Sequence, residues 1–94
     1  MEEEMNSVST VFNALGNPIR LKILLIISET KRPLHIKAVA KILKMNYAAV
    51  YRHVEVLKKT NLLQVFEVGR SRVLSPLHED RVKQFIQLAK EVAR

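Results

Sequence analysis

The chain contains no cysteine and no tryptophan, only two glycines and three prolines, and just two tyrosines and three phenylalanines among its 94 residues. Without cysteine there is neither a disulfide framework nor a thiolate metal site. With aromatics at 5% against 48% hydrophobic residues, the interior has to be built from aliphatic side chains. No apolar run approaches the roughly 20 residues that a membrane-spanning helix needs. The opening Met1-Glu2-Glu3-Glu4 is acidic, where a secretory signal is basic and then apolar. These absences set the expectation of a soluble, cytoplasmic chain with no membrane partner. Its length fits one domain over residues 1–94.

Acid is scarce where base is plentiful. The net charge is +7, and its placement matters more than its total. Between Lys31 and Arg72, ten bases (Lys31, Arg32, Lys37, Lys41, Lys44, Arg52, Lys58, Lys59, Arg70 and Arg72) face only Glu55 and Glu67, a net of +8. Six bases and seven acids leave the two flanks together at −1. A basic middle between near-neutral ends points to a polyanion partner. A solvated cationic surface gives the same count, so charge alone does not decide.

Glu2, Glu3 and Glu4 open a helix predicted over 3–15, where negative charge complements the positive end of the helix dipole. Val8, Val11, Phe12 and Leu15 form its apolar stripe, and Gly16 is expected to end it in the left-handed conformation usual at that position. Asn17-Pro18 starts the next helix, a capping side chain followed by a proline whose missing amide hydrogen costs nothing there. Ile19, Ile23, Ile26 and Ile27 line one side and Leu21, Leu24 and Leu25 much of the rest. A helix apolar on most sides belongs at the centre of the fold. Lys31-Arg32-Pro33 breaks it, and Leu34-His35 has the length of a bridge strand only.

Residues 36–59 read as two short helices joined by a tight turn at Lys44-Met45-Asn46. Ile36, Val39, Ala40 and Leu43 recur at helical spacing in the first, and Val50, Val54 and Leu57 in the second. Asn46 offers a side-chain oxygen to cap the second helix. With those apolar positions inward, Tyr47, Ala48, Tyr51, Arg52 and Glu55 face outward, a mixture suited to a helix whose first turns press against base edges in a groove. Two β-prone runs around Gly69-Arg70 then read as a hairpin over 62–75, closed by Pro76. Arg70 and Arg72 lie near its tip and are expected on one face by strand alternation. The last helix, over 78–93, carries Val82, Phe85, Ile86, Ala89 and Val92 at helical spacing.

The fold class expected is therefore mainly α with a small β-hairpin wing, in the order α-α-(β)-α-α-β-β-α: a winged helix-turn-helix. The stripes of the two terminal helices are expected to meet their counterparts in a second copy through Val8, Val11, Phe12, Val82, Phe85, Ile86 and Ala89. The alternative is a monomer in which both stripes pack on their own core.

Three motifs, in order and at matching distances over about Phe12 to Leu77, resemble the ArsR-type winged-helix repressors of bacteria and archaea. Ala14-Leu15-Gly16-Asn17-Pro18-Ile19-Arg20-Leu21-Lys22-Ile23-Leu24 is similar to that family's L-x-x-P-x-R-L-x-I-L opening. Val50-Tyr51-Arg52-His53-Val54-Glu55-Val56-Leu57 is similar to its V-S-R-H-L-x-x-L recognition helix, and Val68-Gly69-Arg70 to its E-G-R wing tip. The resemblance implies a dimeric DNA-binding regulator. The chain departs from the pattern in the turn, where Lys44-Met45 stands for the usual Gly-Leu and must manage without glycine's freedom at positive φ. It departs again at Asn46-Tyr47-Ala48-Ala49, which replaces a Ser/Gln/Thr cluster, so the family's base contacts do not carry over there. Metal-sensing members use a cysteine motif on the third helix or Asp/His pairs on the last. Here only His78, Glu79 and Asp80 cluster at the start of the last helix, and no metal or other cofactor is expected.

Arg52 is a candidate for a phosphate or for a guanine edge, its alternative role being an ion pair with Glu55. Tyr47 and Tyr51 are candidates for phosphates or thymine methyl groups, or else pack on the wing. Asn46 can cap the helix and touch a phosphate at once. Ala48 completes the helix tip. Lys37, Lys41, Lys44, Lys58 and Lys59 are candidate phosphate contacts, each individually unremarkable, and Arg70 and Arg72 are the better candidates, placed to reach a minor groove. His35, His53 and His78 lie on separate elements without ligand spacing, His53 being expected near the junction of helix and wing. No nucleophile, base and orienting acid come together, so no enzyme is expected. The expected function is sequence-specific binding of double-stranded DNA as a homodimeric transcriptional regulator. A sequence-tolerant DNA-coating protein and a winged-helix protein-docking module remain as alternatives.

Overall fold

A computed structural model of the chain describes residues 1–30 and 32–94; Lys31, counted above among the bases, lies outside the described residues. Five helices and three short strands follow in order: α1 (Glu2–Leu15), α2 (Pro18–Glu29), β1 (Leu34–His35), α3 (Ile36–Leu43), α4 (Tyr47–Lys59), β2 (Leu63–Val68), β3 (Ser71–Pro76) and α5 (Glu79–Val92). α2 starts as its sequence dictates, with the Asn17 side-chain oxygen accepting from the Ile19 and Arg20 amides at 2.9 and 3.2 Å and Pro18 in the first turn. Its Ile23, Leu24 and Ile27 are buried at the centre of an aliphatic core. Ile36, Val39 and Ala40 from α3, Val50, Val54 and Leu57 from α4, and Leu62, Leu63 and Leu74 from the sheet region close around them. Each such valine, leucine or isoleucine fully withdrawn from water contributes about 1.5–3 kcal/mol, and the described residues include no buried polar or charged side chain to offset it.

The sheet is antiparallel in the order β1-β3-β2. The β2–β3 hairpin runs from Leu63 opposite Pro76 to Val68 opposite Ser71, and Leu34 and His35 pair with Leu74 and Val73. The bridge strand thus attaches the start of α3 to the wing. At the tip Gly69 takes φ +62°, and a Cβ added there would meet nothing within 4 Å, so glycine serves backbone freedom and not space.

Two sequence expectations, at Gly16 and Val82, change here, and the turn without glycine is resolved. Gly16 ends α1 without a left-handed turn, at φ −81°. The carbonyls such a turn would satisfy are taken instead by Arg20, which donates from Nε to Ala14 O at 2.6 Å and from Nη2 to Asn13 O at 3.0 Å. Glycine at this point relieves a close approach, since a Cβ would stand 3.2 Å from Phe12 O. The turn between α3 and α4 is left-handed even without glycine: Lys44 itself adopts φ +56° and donates its amide to the last turn of α3. Val82, expected at an interface between copies, is 2% exposed and belongs to the chain's own core, because α5 begins on that core and leaves it only further along.

Beyond that first turn α5 presents Phe85, Leu88 and Val92 outward, while α1 presents Met5, Val8 and Phe12. The Phe12 and Phe85 rings meet edge to face, their centroids 6.0 Å apart. Val11 and Ile86 are half-buried against the core, and Ala89 is exposed. An open apolar cleft of about 430 Å³, lined by Phe12, Leu15, Leu21, Phe85 and Ile86 among others, runs between these helices.

Candidate nucleic-acid interface

The inward stripe of α4 decides what its other side shows. With Val50, Val54 and Leu57 fully buried, Tyr47, Ala48, Arg52, Lys58 and Lys59 are exposed and Tyr51 and Glu55 half-buried. Asn46 caps the helix by accepting from the Ala49 amide at 2.8 Å, an interaction worth about 1 kcal/mol. Its own backbone is extended, at φ −73° and ψ 155°, so the chain enters α4 abruptly and leaves its first turn at the surface.

The two tyrosines, one helical turn apart, stack with ring centroids 6.3 Å apart and planes 17° from parallel. Arg72 of β3 closes over them: Nη1 donates to the Tyr47 hydroxyl at 3.2 Å and Cζ sits 4.7 Å from the Tyr51 ring centroid. The Tyr51 phenol is held above its ordinary value, first by hydrogen bonding to the Glu55 carboxylate and then by that carboxylate's charge. α4 and the β2–β3 hairpin are therefore joined by side chains on their outer face.

Arg70 and Arg72 both line a small cleft at the hairpin tip with Glu67, but they are engaged differently. Arg70 precedes β3, in the hairpin turn where strand alternation does not extend, and is exposed; Arg72 folds back onto α4. Lys37, Lys41 and Lys44 are exposed on and just after α3. Among the described residues Arg52 makes no ion pair with Glu55, whose nearest chemistry is with Tyr51. His53 turns away from the wing. Its Nδ1 lies 3.3 Å from Arg20 Nη1, facing α2, because it sits opposite the tyrosine face of α4. Burial first and the Arg20 charge second hold its pKa below the ordinary value of 6.5. Since arginine only donates, Nδ1 accepts and the imidazole is neutral there.

The sequence makes the arginines visible but not their partners: neither the interlocking of Arg20 with α1 and α4 nor the clasp of Arg72 on α4 follows from it. The exposed Met5 and Leu88 join the terminal-helix face beyond the residues expected there, each in helical phase with Val8 or Phe85, and Val92 of the predicted stripe is exposed beside them. No three metal-ligating side chains gather among the described residues, and no helix among them is long and apolar enough to cross a membrane.

A three-helix core with a helix-turn-helix and a β-hairpin beside its second helix defines a winged helix-turn-helix protein. The profile described as "Bacterial regulatory protein, arsR family" matches residues 17–65, 49 of the 94 and so more than half of the chain. The chain belongs to the ArsR family, whose fold is that of transcriptional regulators and not of enzymes. A search of curated proteins finds no match in sequence. Among solved structures it is similar to the homodimeric winged helix-turn-helix DNA-binding domain of Mb0332 from Mycobacterium bovis, a possible ArsR-family transcriptional regulator, at TM-score 0.81 and 25% identity over 98% of this chain and 82% of that one. A transcriptional regulator homologue from Pyrococcus horikoshii gives TM-score 0.77 and 26% identity over 99% and 95%. HlyU from Vibrio cholerae, at 20% identity and TM-score 0.76 over 98% and 97%, shares the fold.

Proposed function

We propose that the chain is a sequence-specific regulator that binds double-stranded DNA as a homodimer, with α4 in the major groove and the wing on the adjacent backbone or minor groove. The observation that carries this reading is the outer face of α4, where Asn46, Tyr47, Ala48, Tyr51 and Arg52 are followed by Lys58 and Lys59 and the single acid of the helix, Glu55, is engaged with Tyr51. Arg52 is exposed and reaches outward from mid-helix, so it is the residue assigned to a base edge or a phosphate. Lys37, Lys44, Lys58, Lys59 and Arg70 are assigned to phosphates, and Arg72 to the same face. The homodimeric Mycobacterium bovis domain supports self-association, as do the outward Val8, Phe12, Phe85 and Ala89 of the terminal helices, with Val11 and Ile86 at their edge. Met5, Leu88 and Val92 extend that face. Such a protein works in the cytoplasm, where the chromosome is.

Two-fold symmetry sets half-sites about 34–36 Å apart. If each protomer neutralises about three to five phosphates, affinity falls by about 10³–10⁵ between 50 and 200 mM salt. Titrating duplex DNA at rising salt tests the electrostatic part, and a flat response rejects it. Selection from a random duplex pool tests specificity: an enriched inverted repeat supports a regulator. Exposed Ala48, which offers no hydrogen bond to a base, favours the second reading of a sequence-tolerant coating protein, and absence of enrichment would establish that reading instead. Arg52→Ala should weaken the preferred duplex by ~1–3 kcal/mol if the arginine forks onto a base, and all duplexes equally if it holds a phosphate.

A further inference from the structure

The clasp between wing and recognition helix has a consequence for what the helix can read. A helix tip that carries Tyr47, Ala48 and Tyr51 offers few hydrogen bonds to base edges. The Tyr47 hydroxyl already accepts from Arg72, and the Tyr51 ring is covered on one side by its guanidinium. The exposed Tyr47 ring, 40% accessible, the half-buried Tyr51 ring within 17° of parallel to it and the exposed Ala48 methyl remain as an apolar shelf at the start of the helix. In the major groove the one apolar feature a base pair displays is the thymine C5-methyl group.

We propose that Arg72 is a positioning residue which locks Tyr47 and Tyr51 into a shelf, and that this shelf, with Ala48, selects thymine methyl groups in the major groove. The proposal rests on the DNA-binding reading above. Arginine suits the task because one planar group donates to Tyr47 and covers the Tyr51 ring simultaneously; a lysine ammonium keeps the charge but cannot do both. Glu67, directly across the hairpin from Arg72, adds an acidic neighbour that favours keeping the cation in place.

The test uses the full chain and two random-sequence duplex pools, identical except that deoxyuridine replaces thymidine in one. The wild type should enrich A·T pairs at a fixed position of each half-site from the thymidine pool and lose that preference in the deoxyuridine pool. A buried methyl group is worth about fourfold in affinity, so the selected duplex resynthesised with deoxyuridine should bind on the order of tenfold more weakly where each half-site contributes one. Arg72→Lys should retain the salt dependence while the thymidine-to-deoxyuridine affinity ratio falls towards one. Equal affinity of the wild type for both duplexes, with steep salt dependence intact, would overturn methyl selection and leave the DNA-binding reading standing. A full ratio in Arg72→Lys would overturn the positioning role. Failure to retain any duplex would overturn both.

Discussion

Replacing Arg20 by methionine separates two contributions that one guanidinium makes. The methionine keeps an apolar stem of similar reach but removes the donors to Ala14 O at 2.6 Å and Asn13 O at 3.0 Å. Hydrogen bonds from charged donors are worth about 1.5–3 kcal/mol each. Water can replace the exposed one at Asn13 in part, which brings the expected loss to about 2–4 kcal/mol. A chain of this size has about 5–14 kcal/mol to lose, so the change is large. It should appear in urea unfolding as a lower midpoint at unchanged slope, measured at fixed protomer concentration because the stability of the proposed dimer depends on it. The second signature is at His53. Arg20 is the lesser of two causes depressing its pKa, behind burial. Proton NMR should therefore show the His53 titration moving up towards its ordinary value in Arg20→Met without reaching it. A stability loss below about 0.5 kcal/mol, or an unmoved His53, would refute the assignment of Arg20 as the tie between α1, α2 and α4.

The depressed His53 pKa also fixes a pH dependence. Because the unfolded chain binds this proton more readily than the folded one, folding stability is undiminished above about pH 6.5 and falls as the pH drops below it, levelling off beneath the folded-state value. His53→Gln should remove that acid-side decline, and an identical slope of stability against pH in the variant would discount His53. Lys44, held at φ +56°, should accept glycine with a gain of about 0.5–1 kcal/mol, the left-handed cost of roughly 1–2 kcal/mol exceeding the extra chain entropy. Lys44→Val should lose more than 1 kcal/mol, being β-branched in the same conformation, and thermal melts of the two variants moving in one direction would contradict this. Phe85→Glu should dissociate the proposed dimer, since it places a charge among Phe12 and its apolar neighbours; sedimentation showing an unchanged dimer would remove α5 from the interface.

Local rules carry most of the fold. Each helix start that a side chain marks, Asn17 before Pro18 and Asn46 before Tyr47, is realised by the expected hydrogen bond. The inward stripes of α3 and α4 are buried as their spacing requires. What fails is reasoning from residue type to a single purpose. Glycine after a helix suggests a left-handed residue, whereas Gly16 is small because Phe12 O is close, and the left-handed position in the next turn is held by a lysine. Val82 is in phase with Phe85 and Ala89, but periodicity identifies a face of a helix and not what that face meets. The first turn of α5 meets the core and the later turns do not.

The same distinction divides the basic residues. Counting charge treats Arg20, Arg52, Arg70 and Arg72 alike. Among the described residues, Arg20 and Arg72 have acceptors within the protein, 2.6–3.2 Å away, while Arg52 and Arg70 have no protein hydrogen-bond partner. Those commitments join segments 6 to 25 residues apart and depend on where β3 sits beside α4, which no local pattern in the sequence encodes. An arginine already engaged with two phenols has less to offer a phosphate, and releasing it would forfeit a hydrogen bond and a ring contact. Its charge still adds to the field around α4, since Coulomb attraction does not require contact. On the DNA-binding reading proposed above, the cationic surface separates by role: exposed lysines, Arg52 and Arg70 supply attraction to a polyanion, and Arg72 supplies the shape of the surface that attraction brings into register.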